Sequence, residues 1–75
     1  VEGTMELKEL TSAIESFLDS LNELNRGIFV RRYWFYDNYM QIAKKVGLSE
    51  KNVSVRLTRL RKQLKDYLEE RGNFL

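Results

Sequence analysis

NYMQIAKKVGLSEKNVSVRLTRL, residues 38–60, reads as a short helix, a tight turn containing Gly47 and a second, longer helix. Asn38 is placed to cap the first of these helices, with Gln41 three residues on to answer it as in a capping box. Ile42, Ala43 and Val46 form its inner face. Gly47 supplies the positive φ that ends a helix at little steric cost. Leu48 fills the corner, and Ser49 is a strong N-cap for the helix that follows. This is the layout of a helix-turn-helix, whose second helix enters the major groove of DNA.

The second helix carries the argument further. At about 100° per residue, Val53, Leu57, Leu60, Leu64 and Leu68 fall on one narrow stripe, with Tyr67 at its edge. The opposite face holds Lys51, Val55, Thr58 and Lys62, flanked by Ser54 and Arg59. Lys and Arg reach phosphates or guanine, and an apolar group can meet a thymine methyl. The competing reading is a solvated helix face that is merely basic. The helix is expected to span about 22 residues, or about 33 Å at 1.5 Å per residue. A major groove is only about 12 Å wide, so the first half is free to read DNA while the Lys65–Arg71 half packs on the domain or projects.

Charge favours the groove reading. The net charge is +2, but it is unevenly spread. Residues 1–37 carry four basic and seven acidic side chains, and residues 38–75 carry nine and four. From Lys44 to Lys65 there are eight basic residues and one acid, Glu50. The positive charge therefore lies on the helix-turn-helix, where phosphates would need it. The phosphate-contacting candidates are Lys44, Lys45, Asn52, Arg56, Thr58, Arg59 and Lys62.

Seventy-five residues make one small domain. There is no Cys and no His. Thiolate metal sites and the commonest general base are therefore absent, and no catalytic residue, metal ligand or cofactor is expected. No Pro interrupts the chain, and the periodicity is helical throughout. No apolar run is long enough to span a bilayer and no signal peptide is visible, so the expected location is the cytoplasm, away from membranes. The chain opens on Val1 rather than Met, as an excised piece of a longer protein would.

The fold class expected is all-α: a compact four-helix domain over residues 5–72, with a long C-terminal recognition helix and flexible ends at 1–4 and 73–75. Met5 to about Ser20 reads as an amphipathic helix. Leu7, Leu10, Ile14, Phe17, Leu18 and Leu21 face inward, and Glu6, Glu9, Glu15 and Asp19 face outward. Asn22 is expected to cap a second helix running to Tyr33 or Trp34, with Arg31 and Arg32 complementing its dipole. Gly27 lies inside that helix and costs about 1 kcal/mol relative to Ala; close packing on the first helix would account for it. Five of the seven residues in YWFYDNY (33–39) are aromatic. Tyr33 and Tyr36 are expected in the core, and Trp34 or Phe35 on a surface that meets a partner. Gly72 is a natural residue for ending the last helix.

In this order the motifs resemble region 4 of the sigma-70 family of bacterial RNA polymerase sigma factors, especially the compact extracytoplasmic-function type. The matching stretches are FLDSLNELNRGIFVRRYWF (17–35) and YMQIAKKVGLSEKNVSVRLTRLRKQLKDYL (39–68). The last contains Val53, Arg56, Leu57, Arg59, Arg61 and Leu64 in the family's V-x-x-R-L-x-R-x-R-x-x-L pattern. The resemblance implies binding to double-stranded promoter DNA at the −35 element and docking on the β flap of the RNA polymerase core. It places Glu50, Lys51, Ser54 and Val55 against bases, and Arg56 and Arg59 on phosphates or in helix packing. Phe29, Tyr33, Trp34 and Phe35 become candidates for the polymerase contact. An anti-sigma factor is a further partner the resemblance admits, and the isolated domain is expected to be a monomer. Two departures touch the second helix: Asn22 stands where the family commonly has Pro, and Gly27 where it has a longer side chain.

Two other readings compete. One is a helix-turn-helix transcriptional regulator or response-regulator output domain, which would use the helix before the motif to dimerise. The other is a helical protein-interaction domain with no DNA role.

Overall fold

The computed structural model describes residues 7–71, which form four helices: α1 (Leu7–Ser20), α2 (Glu23–Tyr33), α3 (Tyr39–Val46) and α4 (Glu50–Arg71). No strand occurs among the described residues. The all-α expectation holds, with the long helix last. The flexible end expected at 1–4, Met5 and Glu6, the stop expected at Gly72 and the tail 73–75 lie outside the described residues.

Local capping chemistry sets the helix ends. The Asn22 side chain accepts the N–H of Asn25 at 2.8 Å and starts α2. Asn38 and Gln41 form a full capping box, each side chain bonded to the other's backbone N–H at 2.8 Å. Gly47 closes α3 with φ 75°, in the left-handed region where L side chains are strained. Its N–H donates to the Ala43 carbonyl at 2.9 Å. Ser49 Oγ then accepts the N–H of Asn52 at 3.1 Å and opens α4.

The core forms where α2, α3 and α4 meet. Ile28, Ile42, Val53, Leu57 and Leu60 are buried together, with Phe29 and Ala43 beside them. Leu48 packs against this cluster from the turn, and Leu64 extends it along α4. Stacking of α1 on the second half of α4 lets Phe17 contact Phe29 at 6.1 Å and Tyr67 at 5.6 Å between ring centroids. The C-terminal half of α4 is therefore a packing element, as its charge change suggests. The buried α1 residues are Ala13 and Phe17. Ala13 escapes an apolar count because it is small, yet its size is what lets a helix lie close.

Four expectations fail. Tyr33, expected in the core, is 38 % exposed: its ring packs on Phe29, but one side is left to solvent. Leu7 is 78 % exposed; it stands about 9 Å of helix rise before Ala13, ahead of the α4 contact. Tyr36 is 84 % exposed rather than buried, and it takes a positive φ of 58° in the α2–α3 loop. Gly27 has open space where a Cβ would stand, so close helix packing does not explain it.

The α2–α3 loop is held by one carboxylate. Asp37 accepts from Lys45 Nζ at 3.0 Å and lies 3.9 Å from Arg31. Its backbone N–H donates to the Arg31 carbonyl, and its own carbonyl accepts from Arg32 at 3.2 Å. Arg32 also lies over the Tyr39 ring. This clasp fixes α3 against the end of α2, and through α3 it fixes the start of α4.

Candidate nucleic-acid interface

With Val53, Leu57 and Leu60 buried, the opposite side of α4 must face water. Glu50, Lys51, Asn52, Val55, Thr58, Arg59 and Lys62 are exposed, and Ser54 is half-buried. The four residues expected to read bases, Glu50, Lys51, Ser54 and Val55, lie in the first two turns of α4, immediately after the turn that Gly47 and Ser49 set. Lys44 is exposed at the end of α3. Among the described residues, no salt bridge engages Lys44, Lys51 or Arg59, so these cations are free to meet an anion.

Other expected phosphate contacts already have partners. Lys45 pairs with Asp37, and Lys62 pairs with Asp66 at 3.4 Å. Thr58 donates its hydroxyl to the Ser54 carbonyl at 3.0 Å and accepts from Arg61 at 3.3 Å. The exposed Lys62–Asp66 pair is worth at most about 1 kcal/mol, so phosphate can displace it, whereas Lys45 is engaged with the largely buried Asp37 that holds the α2–α3 loop. Arg56 is different. Its Nε donates to Asn52 Oδ1 at 2.6 Å and its Nη1 to Asn25 Oδ1 at 3.0 Å, which ties α4 to α2.

Beside this face, α2 and α4 diverge into a cleft of ≈ 550 Å³ walled by Asn25, Lys51, Asn52, Arg56, Arg59 and Gln63. Asn25 and Gln63 were not singled out in the sequence. Asn25 sits three residues after the cap Asn22, a position whose side chain usually serves its own helix end, so nothing local points to Arg56. Among the described residues, no group of three His, Cys, Asp or Glu could hold a metal ion, and no helix is long and apolar enough to cross a membrane.

A second surface lies on another side. An apolar cleft of ≈ 410 Å³ is lined by Ile14, Phe29, Tyr33, Trp34 and Leu64, with Arg61 and Lys65. Phe29 is buried and forms its floor; the Tyr33 ring packs on Phe29 at 4.7 Å. The Tyr33 hydroxyl accepts from Arg61 Nη1 at 3.1 Å. This bond, and the Tyr39 hydroxyl after it, raise the pKa of Arg61 further above its already high value. Trp34 and Phe35 are 53 % and 66 % exposed, so both face solvent where one was expected to.

No curated protein and no solved structure gives a significant match to the chain. A family model does: residues 11–64, which take in the core, the turn, the Asn25 cleft and all of the Trp34 cleft but Lys65, match sigma-70, region 4. That region is a DNA-binding helix-turn-helix unit of transcription, which favours this reading over an output domain built to dimerise. The chain belongs to the sigma-70 region 4 family and is a sigma-factor DNA-binding domain.

Proposed function

We propose that the chain reads the −35 element of a bacterial promoter through the first half of α4 and docks on the β flap of RNA polymerase through the Trp34 cleft. The observation that carries the DNA half is the outer face of α4, where Glu50, Lys51 and Val55 are exposed beside the half-buried Ser54, near Lys44 and Arg59, which have no salt-bridge partner among the described residues. Lys51 can donate to guanine, Glu50 can accept from a cytosine amino group, Ser54 can do either and Val55 can meet a thymine methyl. Arg59, Lys44, Asn52 and Arg56 line the flanks where phosphates pass, with Lys45, Thr58 and Lys62 available once their present bonds open. The apolar cleft and its exposed Trp34 and Phe35 suit a hydrophobic protein partner. An anti-sigma factor would compete for the same surface. The chain by itself is proposed to be a monomer in the cytoplasm.

The test is duplex binding by fluorescence anisotropy with a pool varied over the −35 hexamer. Lys51→Ala should relax the preference at one position and cost about 1–3 kcal/mol there, whereas Arg59→Ala should weaken all sequences alike and lower the salt slope by about 1. Equal affinity of both variants and the parent for every duplex would remove the reading. An NMR titration with the isolated flap should shift resonances of Trp34, Phe35 and Leu64; an unmoved spectrum would separate the polymerase half of the proposal from the DNA half.

A further inference from the structure

The third residues of α3 and of α2 use their side chains differently. In α3, Gln41 turns back onto the N–H of its cap, Asn38. In α2, the cap Asn22 likewise holds the N–H of Asn25, but the Asn25 side chain leaves the helix end. Its Oδ1 accepts from Arg56, 31 residues further along. A guanidinium carries five N–H donors in a planar fork. Nε and Nη1 of Arg56 point at two amide oxygens, which fixes the plane, and the Nη2 edge takes part in neither bond. Both acceptors are neutral, so they orient the guanidinium without cancelling its charge. A carboxylate in either place would have held it as well and weakened its pull on an anion. Lys51 and Arg59 share the cleft, and no acidic residue lines it.

We propose that this cleft is a phosphate clamp for duplex DNA in which Arg56 grips the oxyanion and Asn25, from a helix outside the helix-turn-helix, is the positioning residue that holds Arg56 ready. The inference rests on the DNA-binding reading above. Asn52 and Arg56 lie about 60° and about 100° round α4 from Val55. That is the flank of the groove-facing side, where a sugar–phosphate strand passes when Val55 faces bases. A free Arg loses rotamer freedom when it meets a phosphate; Arg56 has already lost it on folding, so the contact is preorganised. The planar fork also matches phosphate oxygens in a way a Lys ammonium does not.

The experiment titrates a short fluorescein-labelled duplex of mixed sequence with the 75-residue chain at several salt concentrations. The proteins are the parent, Asn25→Ala, Arg56→Ala, their double variant and Asn25→Asp, with thermal unfolding of each as the check on folding. Asn25→Ala and Arg56→Ala should each weaken binding about fivefold and lower the salt slope by about 1. The double variant should bind no worse than Arg56→Ala alone, since Asn25 acts through Arg56. Asn25→Asp keeps the acceptor in place and should still weaken binding, because its carboxylate neutralises the clamp; the discriminating readout is the double variant, in which a purely structural Asn25 would add its own loss to that of Arg56→Ala. Unchanged affinity and slope in both folded Asn25 variants, beside a loss in Arg56→Ala, would overturn the positioning role. An unchanged Arg56→Ala, beside a loss in Arg59→Ala, would overturn the clamp and leave DNA binding standing. No salt-dependent binding by the parent would sink the DNA-binding reading and this inference with it.

Discussion

Gly27 sits inside α2 with nothing near the position of a missing Cβ, and its φ is not positive. Neither close approach nor backbone geometry asks for glycine there. Gly27→Ala should therefore stabilise the fold by about 1 kcal/mol through helix propensity. In a domain this small that raises the thermal midpoint by about 4–8 °C, readable by far-UV circular dichroism. A lower midpoint would mean that a methyl group at this site meets something. Tyr36 is the converse case, a bulky residue held at φ 58° with its ring in solvent. Left-handed backbone at an aromatic residue costs about 1–2 kcal/mol. Its neighbour Asp37 supplies the restraint, through Lys45, Arg31 and Arg32. Nothing in YWFYDNY advertises that strain. A string of aromatics reads as core, and only the tertiary clasp turns Tyr36 outward.

Helix ends were legible because their chemistry is local. Asn22, Asn38, Gly47 and Ser49 act on backbone groups within three or four residues, and all four do what their residue types suggest. α3 shows how much depends on this. With eight residues it is shorter than the about 12–15 at which an isolated helix holds itself in water. Asn38→Ala removes the acceptor that holds the Gln41 N–H and leaves only the Gln41 half of the capping box, which should destabilise the domain by about 1 kcal/mol. The loss should appear as faster amide hydrogen exchange in α3 before α4 changes. Equal acceleration in all four helices would show that α3 has no independent opening. What could not be read at this scale is the pairing of distant side chains. Asn25 with Arg56 and Tyr33 with Arg61 are separated by 31 and 28 residues. Periodicity puts each on the correct side of its helix but says nothing about which partner it finds.

The whole molecule depends on one helix. α4 contributes Val53, Leu57 and Leu60 to the core and presents the candidate DNA face from the same turns. Leu57 is fully buried among residues of the other helices. Leu57→Ala should cost about 2–5 kcal/mol, most or all of what a domain of this size has, given native stabilities that start near about 5 kcal/mol. Circular dichroism at 25 °C should show substantial loss of helix; a cooperative melt close to the parent's would mean that the core collapses around the gap. The candidate site was legible to the extent that it follows from this helix: the basic face, the cap and the turn. Its α2 wall was not, because that wall exists only once two helices are packed.

α4 runs from Glu50 to Arg71 without a break, so it works as a shaft. Lys51, Asn52, Arg56 and Arg59 line the Asn25 cleft, which Gln63 closes further down, and Arg61, Leu64 and Lys65 line the Trp34 cleft on another side. The angle between whatever fills one cleft and whatever fills the other is therefore a phase, set by how many residues separate them. One residue inserted between Arg56 and Arg61 would turn Arg61, Leu64 and Lys65 by about 100° relative to Lys51, Asn52 and Arg56 and lengthen the shaft by only about 1.5 Å. Side chains on either surface can drift as their partners change, but the count of residues between them cannot.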